Sequence, residues 1–334
     1  MSNEYKRNHF VPRGYLKGFT NNQNKIFRLI INPTQYQTPI IERVVNQVGY
    51  VMDLYTITNE IIYELYDIPE DDKYIEKNCF TQIENHIGQT IQNIADKKVT
   101  EDDRKMICDF ILLSITRHPK NIELFKKEYS PQFHEDFLED KKEAIEESKK
   151  FYGDTRSFEE IKTEYLKQVK EDKKFNVDNL AKSYLHQILL DFALDPNNVR
   201  RQIFRHNIWR QFRIYESVEE NEFITSNYPA YSFQHGVGFN DNILPTSFYM
   251  IPLNKRLILE IDGEPCREDF HSTPIWKEVD NNMVDFMNYF TLQNSEGEIY
   301  CSNRKQLERY GTDEYHEIYK PQFDKLIEKN KNYR

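Results

Sequence analysis

Residues 8–19 read Asn-His-Phe-Val-Pro-Arg-Gly-Tyr-Leu-Lys-Gly-Phe and set a histidine and an arginine among residues that prefer burial. The His9 imidazole can give or take a proton near neutral pH. The Arg13 guanidinium can hold an anionic oxygen through two N–H groups. Together they suit phosphoryl or acyl chemistry. The competing reading is structural: His9 bonded to a main-chain carbonyl and Arg13 paired with a carboxylate, because most buried polar groups are simply satisfied. Two glycines and a proline keep this segment from being a plain helix.

Three further clusters carry chemistry. Arg117-His118-Pro119 falls where a helix must stop, since the residue before proline avoids the helical region. Cations there can face a cleft or merely cap the helix dipole. Phe223-Ile224-Thr225-Ser226-Asn227-Tyr228-Pro229 runs a strand into a turn that presents two hydroxyls and an amide. Thr225, Ser226 and Asn227 are candidate substrate contacts, or a turn bonded to its own backbone. The basic run Arg200, Arg201, Arg205, His206, Arg210 and Arg213 is interleaved with Phe204, Trp209, Phe212 and Tyr215. Cations beside aromatic faces are the ingredients of single-stranded nucleic-acid contact, with Arg205 and Trp209 foremost. The other reading pairs these arginines with the chain's many carboxylates. Arg201-x4-His206 also resembles the short signature of the HEPN ribonucleases, but so loose a spacing arises by chance. Glu76 and Glu84, eight apart on one expected helix, are a weak candidate metal pair, and no metal or cofactor is expected.

The elements that must position these residues fall into a pattern. Residues 25–31 and 50–57 read as strands. Helical spacing marks 74–97, 102–117 and 177–194, and the Lys- and Glu-rich stretch 120–174 reads as solvated helices with a narrow buried stripe. Strand character returns at 206–216, 222–226, 246–252 and 256–262. A helix follows at 278–290, a strand at 297–302 and a last helix at 313–329. The expectation is an α+β fold: a small sheet of N-terminal and C-terminal strands with a large helical middle. One composite domain over 1–334 is expected, with a helical subregion at about 74–195 and sheet-forming parts at about 8–57 and 206–302.

Composition narrows the function classes. The chain has 334 residues, with 22 Phe and 22 Tyr, so an aromatic-rich core is expected. A net charge of −10 works against long-range steering to nucleic acid, leaving any such contact to a local basic patch. No apolar run is long enough to span a membrane, and the first residues do not read as a secretory signal. Cys79, Cys108, Cys266 and Cys301 lie far apart, which suits reduced thiols in the cytoplasm. No Walker loop, dinucleotide fingerprint, His-Glu-x-x-His or nucleophile elbow is present.

Several of these fragments resemble the DUF4238 family of bacterial proteins. They are His9-Phe10-Val11-Pro12-x-x-Tyr15-Leu16-x-x-Phe19, the Glu76-to-Glu84 helix, Arg117-x-Pro119, Phe223-Ile224-Thr225-Ser226-x-x-Pro229, Pro252-Leu253 and the tail from Asn288 to Ser302. The resemblance implies recurring polar positions at His9, Arg117, Ser226 and Asn227. The family turn usually reads Thr-Ser-Asp-x-Pro, so Asn227 stands here in place of an acid. The expected function is an enzyme acting on a phosphate-containing substrate such as nucleic acid or a nucleotide. A nuclease or phosphodiester hydrolase, serving phage defence or a toxin-like role, is the form it takes. His9 would act as acid or base, Arg13, Arg117 and His118 would join it, and Thr225, Ser226 and Asn227 would orient the substrate. The alternative is a non-catalytic sensor that binds a ligand, or a protein partner through the charged helices 120–174.

Overall fold

Full burial at only Ile26 and Leu29 along Lys25–Ile30, and nearly continuous burial along Leu257–Ile261, mark one half-covered and one enclosed strand. Those two strands belong to the two larger sheets of an α+β fold. A computed structural model of the chain describes residues 7–31, 40–128, 131–171, 177–195, 197–234, 238–239, 248–262 and 273–328. Cys266 lies outside them. The chain forms two compact units. One comprises residues 1–53, 80–118 and 195–334, the other 54–79 and 119–194.

The first unit holds the sheets. A four-stranded sheet runs in the order Ile41–Val44, Lys25–Ile30, Glu298–Cys301, Thr225–Ser226, so N-terminal and C-terminal strands share it as the sequence implies. A six-stranded sheet, larger than expected, runs Ile275–Val279, Phe212–Ser217, Leu257–Ile261, Phe248–Asn254, Tyr231–Gln234, Gly238–Phe239. Its first pair is parallel. A two-stranded ladder joins Arg7–His9 to Tyr50–Met52. The core is aromatic, as the composition predicts. Phe233, Phe290 and Phe323 meet edge to face or tilted with centroids 5.0–5.8 Å apart.

Two helices of the expected helical middle belong to this same unit. Thr100 opens Glu101–Thr116 with a capping box: its Oγ1 accepts from Asp103 N at 3.1 Å, and the Asp103 carboxylate accepts from Thr100 N at 3.0 Å. This helix packs on Thr81–Ala95 and delivers Arg117 and His118 at its tip. One correction concerns residues 76–84. They are not one helix: a one-turn π-helix, Ile75–Cys79, precedes Thr81–Ala95, and Glu76 and Glu84 sit on separate elements.

The second unit is helical. Val177–Leu194 packs on Lys120–Glu128, Ile61–Tyr66 and Ile75–Cys79, and buries His186, whose Nε2 meets the Leu54 carbonyl at 3.1 Å. Its charged surface is cross-paired within itself, as in Lys162–Glu139 and Lys126–Glu123.

Candidate functional site

The opening segment is anchored before it presents anything. His9 stands opposite Tyr50 in the short ladder. The Phe10 and Val11 N–H groups then both donate to the Gly49 carbonyl, at 3.0 and 3.2 Å. Gly49 has φ +64°, and a Cβ there would lie 2.9 Å from Val11 Cβ, so only glycine lets the two chains approach. Pro12 precedes the short helix Arg13–Leu16, a position that needs no N–H. Arg13 and Gly14 face outward, while Tyr15 is fully buried.

His9 is part-exposed as a residue, but its Nε2 is shielded from water and has no hydrogen-bond partner. The Asn46 main chain adds a contact that favours the protonated ring. Burial, followed by the charge of Arg13 and then those of Arg117 and Arg7, lowers the His9 pKa to about 4. The imidazole is neutral at pH 7 and lies in a positive field.

Arg117 is the largest fully buried side chain of the site. Its Nε donates to the Phe10 carbonyl at 2.7 Å, and its Nη1 to Glu84 Oε1 at 2.9 Å. Its guanidinium sits 5.1 Å from the Phe80 ring centroid. Glu84, read from sequence as half of a metal pair, is thus the partner of Arg117. His118 is buried between rings, with Phe10 at 5.0 Å and Tyr228 at 4.8 Å.

The turn after Thr225–Ser226 joins the opening segment through its rings and hydroxyls. Tyr15 Oη donates to the Pro252 carbonyl at 2.6 Å. Its oxygen lies 2.8 Å from Thr225 Oγ1, so Thr225 is the donor there. Ser226 Oγ donates to the Tyr228 carbonyl and accepts from Tyr228 N, closing the turn on itself. Asn227 pairs both ways with Glu296: Nδ2 donates to its carbonyl at 2.8 Å and Oδ1 accepts from its N–H at 3.0 Å. All three turn residues are buried.

The structure therefore sets Arg117 and His118 against Phe10 of the segment that carries His9 and Arg13, Thr225 against its Tyr15, and the Tyr228 ring against His118. It directs the polar atoms of Ser226 and Asn227 to main chain. The basic run lies elsewhere in the same unit and begins with a helix, Val199–Arg205, followed by a 3-10 turn, His206–Trp209. Strand structure starts only at Phe212. The strand expected from 206 is corrected there, because Asn198 caps a helix through Arg201 N. Arg201 and Arg205 both clamp buried Asp109, each at 2.7 Å through Nη2, and Arg213 pairs with Glu260 and Asp262. The Trp209 side chain lies outside the described residues.

Sequence reading missed Arg7, Asn46, Gly49 and Tyr50 as parts of this site. The Gly49-Tyr50 step ahead of a strand was the available signal. At the other end of strand Glu298–Cys301, an open groove of about 630 Å³ is lined by Asn22, Gln23, Phe27, Lys255 and Lys305 among others. It contains none of the expected site residues. Among the described residues no group of three His, Cys, Asp or Glu is placed to hold a metal ion, and no helix is long and apolar enough to cross a membrane.

Fold and site together define an α+β protein with a cation-flanked histidine on its N-terminal segment. The chain belongs to the DUF4238 family, described as a protein of unknown function, whose model matches residues 7–305. No curated protein and no solved structure matches the chain.

Proposed function

We propose that the chain binds and acts on a phosphate-containing substrate at the site of His9, Arg13 and Arg117. The observation that carries this reading is the unpartnered Nε2 of a neutral His9, set in the field of three arginines. A positive field with a neutral imidazole accepts an anion and can then take a proton from it or from an attacking water. In this reading Arg13, which is exposed, contacts phosphoryl oxygens. Arg117 fixes the Phe10 carbonyl and adds its charge to the field. His118 fixes the Phe10 and Tyr228 rings, while Thr225, Ser226 and Asn227 hold the turn that carries Tyr228. If the substrate is a nucleic acid, Arg205 and Trp209 of the basic run would contact its strand, and a nuclease or phosphodiester hydrolase in defence is the enzyme class in view.

Hydrolysis of p-nitrophenyl phosphate, its bis ester and a single-stranded oligonucleotide tests this. Turnover by the wild type with at least about a 100-fold loss in His9→Ala, at unchanged circular dichroism, is expected for an acid–base residue. Equal turnover by both proteins removes His9 from the reaction.

A second reading, a sensor that binds the ligand without turnover, is favoured by two observations. Nε2 is shielded from water, and Ser226 and Asn227 have their polar atoms on main chain. Saturable phosphate-ester binding without hydrolysis would select it.

A further inference from the structure

The open groove of about 630 Å³ at the end of strand Glu298–Cys301 is walled by segments from both ends of the chain. Its size is that of a small-molecule cleft, about 300–1,000 Å³. Hydrogen bonding fixes what the walls present. Asn21 Oδ1 accepts from the main-chain N–H groups of Gln23 and Lys25, at 2.9 and 3.1 Å. Asn303 Oδ1 accepts in the same way from Lys305 and Gln306, at 3.0 and 3.4 Å. A main-chain N–H can only donate, so each amide turns its oxygen to the main chain and keeps both Nδ2 hydrogens. Among the described residues nothing accepts from either Nδ2. The carboxylates of the groove are engaged as well. Lys25 holds Glu42 at 2.8 Å, while the Ser302 hydroxyl donates to Glu222 and Lys255 lies 3.6 Å from it. Lys305 is exposed and has no carboxylate partner among the described residues. The acceptors of the groove are thus in use, and its donors are in excess.

A donor excess beside a free ammonium selects an anion with several oxygen acceptors. Phe27 adds a second requirement. It stands opposite Glu42 and Cys301 in the four-stranded sheet, is half-buried, and lines the groove. Its ring suits a flat, apolar face. Asn22 and Gln23 line the same groove, exposed and with no side-chain partner among the described residues. Their amides both give and accept hydrogen bonds, as the edge of a nucleobase requires.

We propose that this groove binds a nucleoside monophosphate, its phosphate held by Lys305 and Asn303 Nδ2 and its base set against Phe27 and the amides of residues 21–23. Lys255, which also donates to the Thr20 carbonyl at 3.4 Å, offsets the Glu222 charge that would otherwise repel the phosphate. Arg304 adds a further cation at the rim, shared with Glu308. An inorganic anion would use the cation and leave the ring and the base-reading amides idle. A neutral nucleoside would do the reverse. The groove shares no residue with the site of His9, so the assignment stands independently of what that site does.

Calorimetric titration of the full chain with adenosine monophosphate, ribose 5-phosphate and adenosine tests the proposal. The nucleotide is expected to bind saturably. Each fragment should bind at least about tenfold more weakly, the loss of one stacked base or of one charge-assisted contact. Lys305→Glu changes an exposed side chain, so its melting temperature should match the wild type while nucleotide affinity falls at least about tenfold. His9→Ala should leave nucleotide affinity as it is. Ribose 5-phosphate binding as tightly as the nucleotide overturns the base contact and the assignment with it. Nucleotide affinity that survives Lys305→Glu, or that His9→Ala removes, places the ligand elsewhere and overturns the groove. Absence of nucleotide binding up to about 10 mM overturns it as well, and leaves the reading of the His9 site standing.

Discussion

Arg117→Ala is expected to destabilise the sheet-bearing unit by about 2–4 kcal/mol, from a buried carbonyl left without its donor plus the void of a large side chain. The side chain is wholly buried and serves two acceptors at once. Its loss leaves the Phe10 carbonyl without its donor at 2.7 Å and opens a void against the Phe80 ring. Glu84 contributes less, because it is about one-third exposed and water can replace its partner. Arg117→Lys keeps the charge but not the rigid fork, so it should recover less than half of the loss. Urea denaturation measures both. Amide exchange at Phe10 and Val11 should accelerate in step, since their N–H groups bond Gly49 from the segment that Arg117 pins. A loss below about 1 kcal/mol would show that the segment is held by something else.

Asn227→Asp is expected to cost about 2–3 kcal/mol near neutral pH, a hydrogen bond replaced by a buried charge facing a carbonyl. The amide is required for its two-way pairing with the Glu296 peptide: the carbonyl needs a donor and the N–H needs an acceptor. A carboxylate supplies only acceptors. Facing the Glu296 carbonyl would raise the new acid's pKa above its unfolded value near 3.9. A raised carboxylate pKa means the penalty is present above that pKa and fades as pH falls and the acid is protonated. The stability difference from wild type should therefore shrink from pH about 7 to about 4. A constant or growing difference would contradict this pairing. On this account the amide at position 227 holds the turn rather than marking a lost acid.

Much of the architecture was legible because it is local. The apolar, β-prone runs at 25–30 and 257–261 and the apolar stripe of Val177–Leu194 declare themselves within a few residues. Pro119 announced the end of Glu101–Thr116. Edge strands did not declare themselves: Ile41–Val44 and Ile275–Val279 are half-polar, and only their sheet partners make them strands. The site followed the same divide. His9 and Arg117 could be picked out by residue type and flanking sequence. Their electrostatic coupling, the Glu84 contact and the clamp of Arg201 and Arg205 on Asp109 join residues tens to a hundred positions apart, which spacing along the chain cannot report.

The account turns on Arg13 and His9 sharing one anionic ligand. The direct measurement is methyl-phosphate affinity at pH about 6 for the wild type and Arg13→Glu, with melting temperature as the control. Arg13 is exposed, so the fold should be unaffected. Reversing its charge should weaken binding at least about 30-fold, as expected when a charge-assisted contact becomes a repulsion. Equal affinity in the two proteins, at equal stability, would contradict the account.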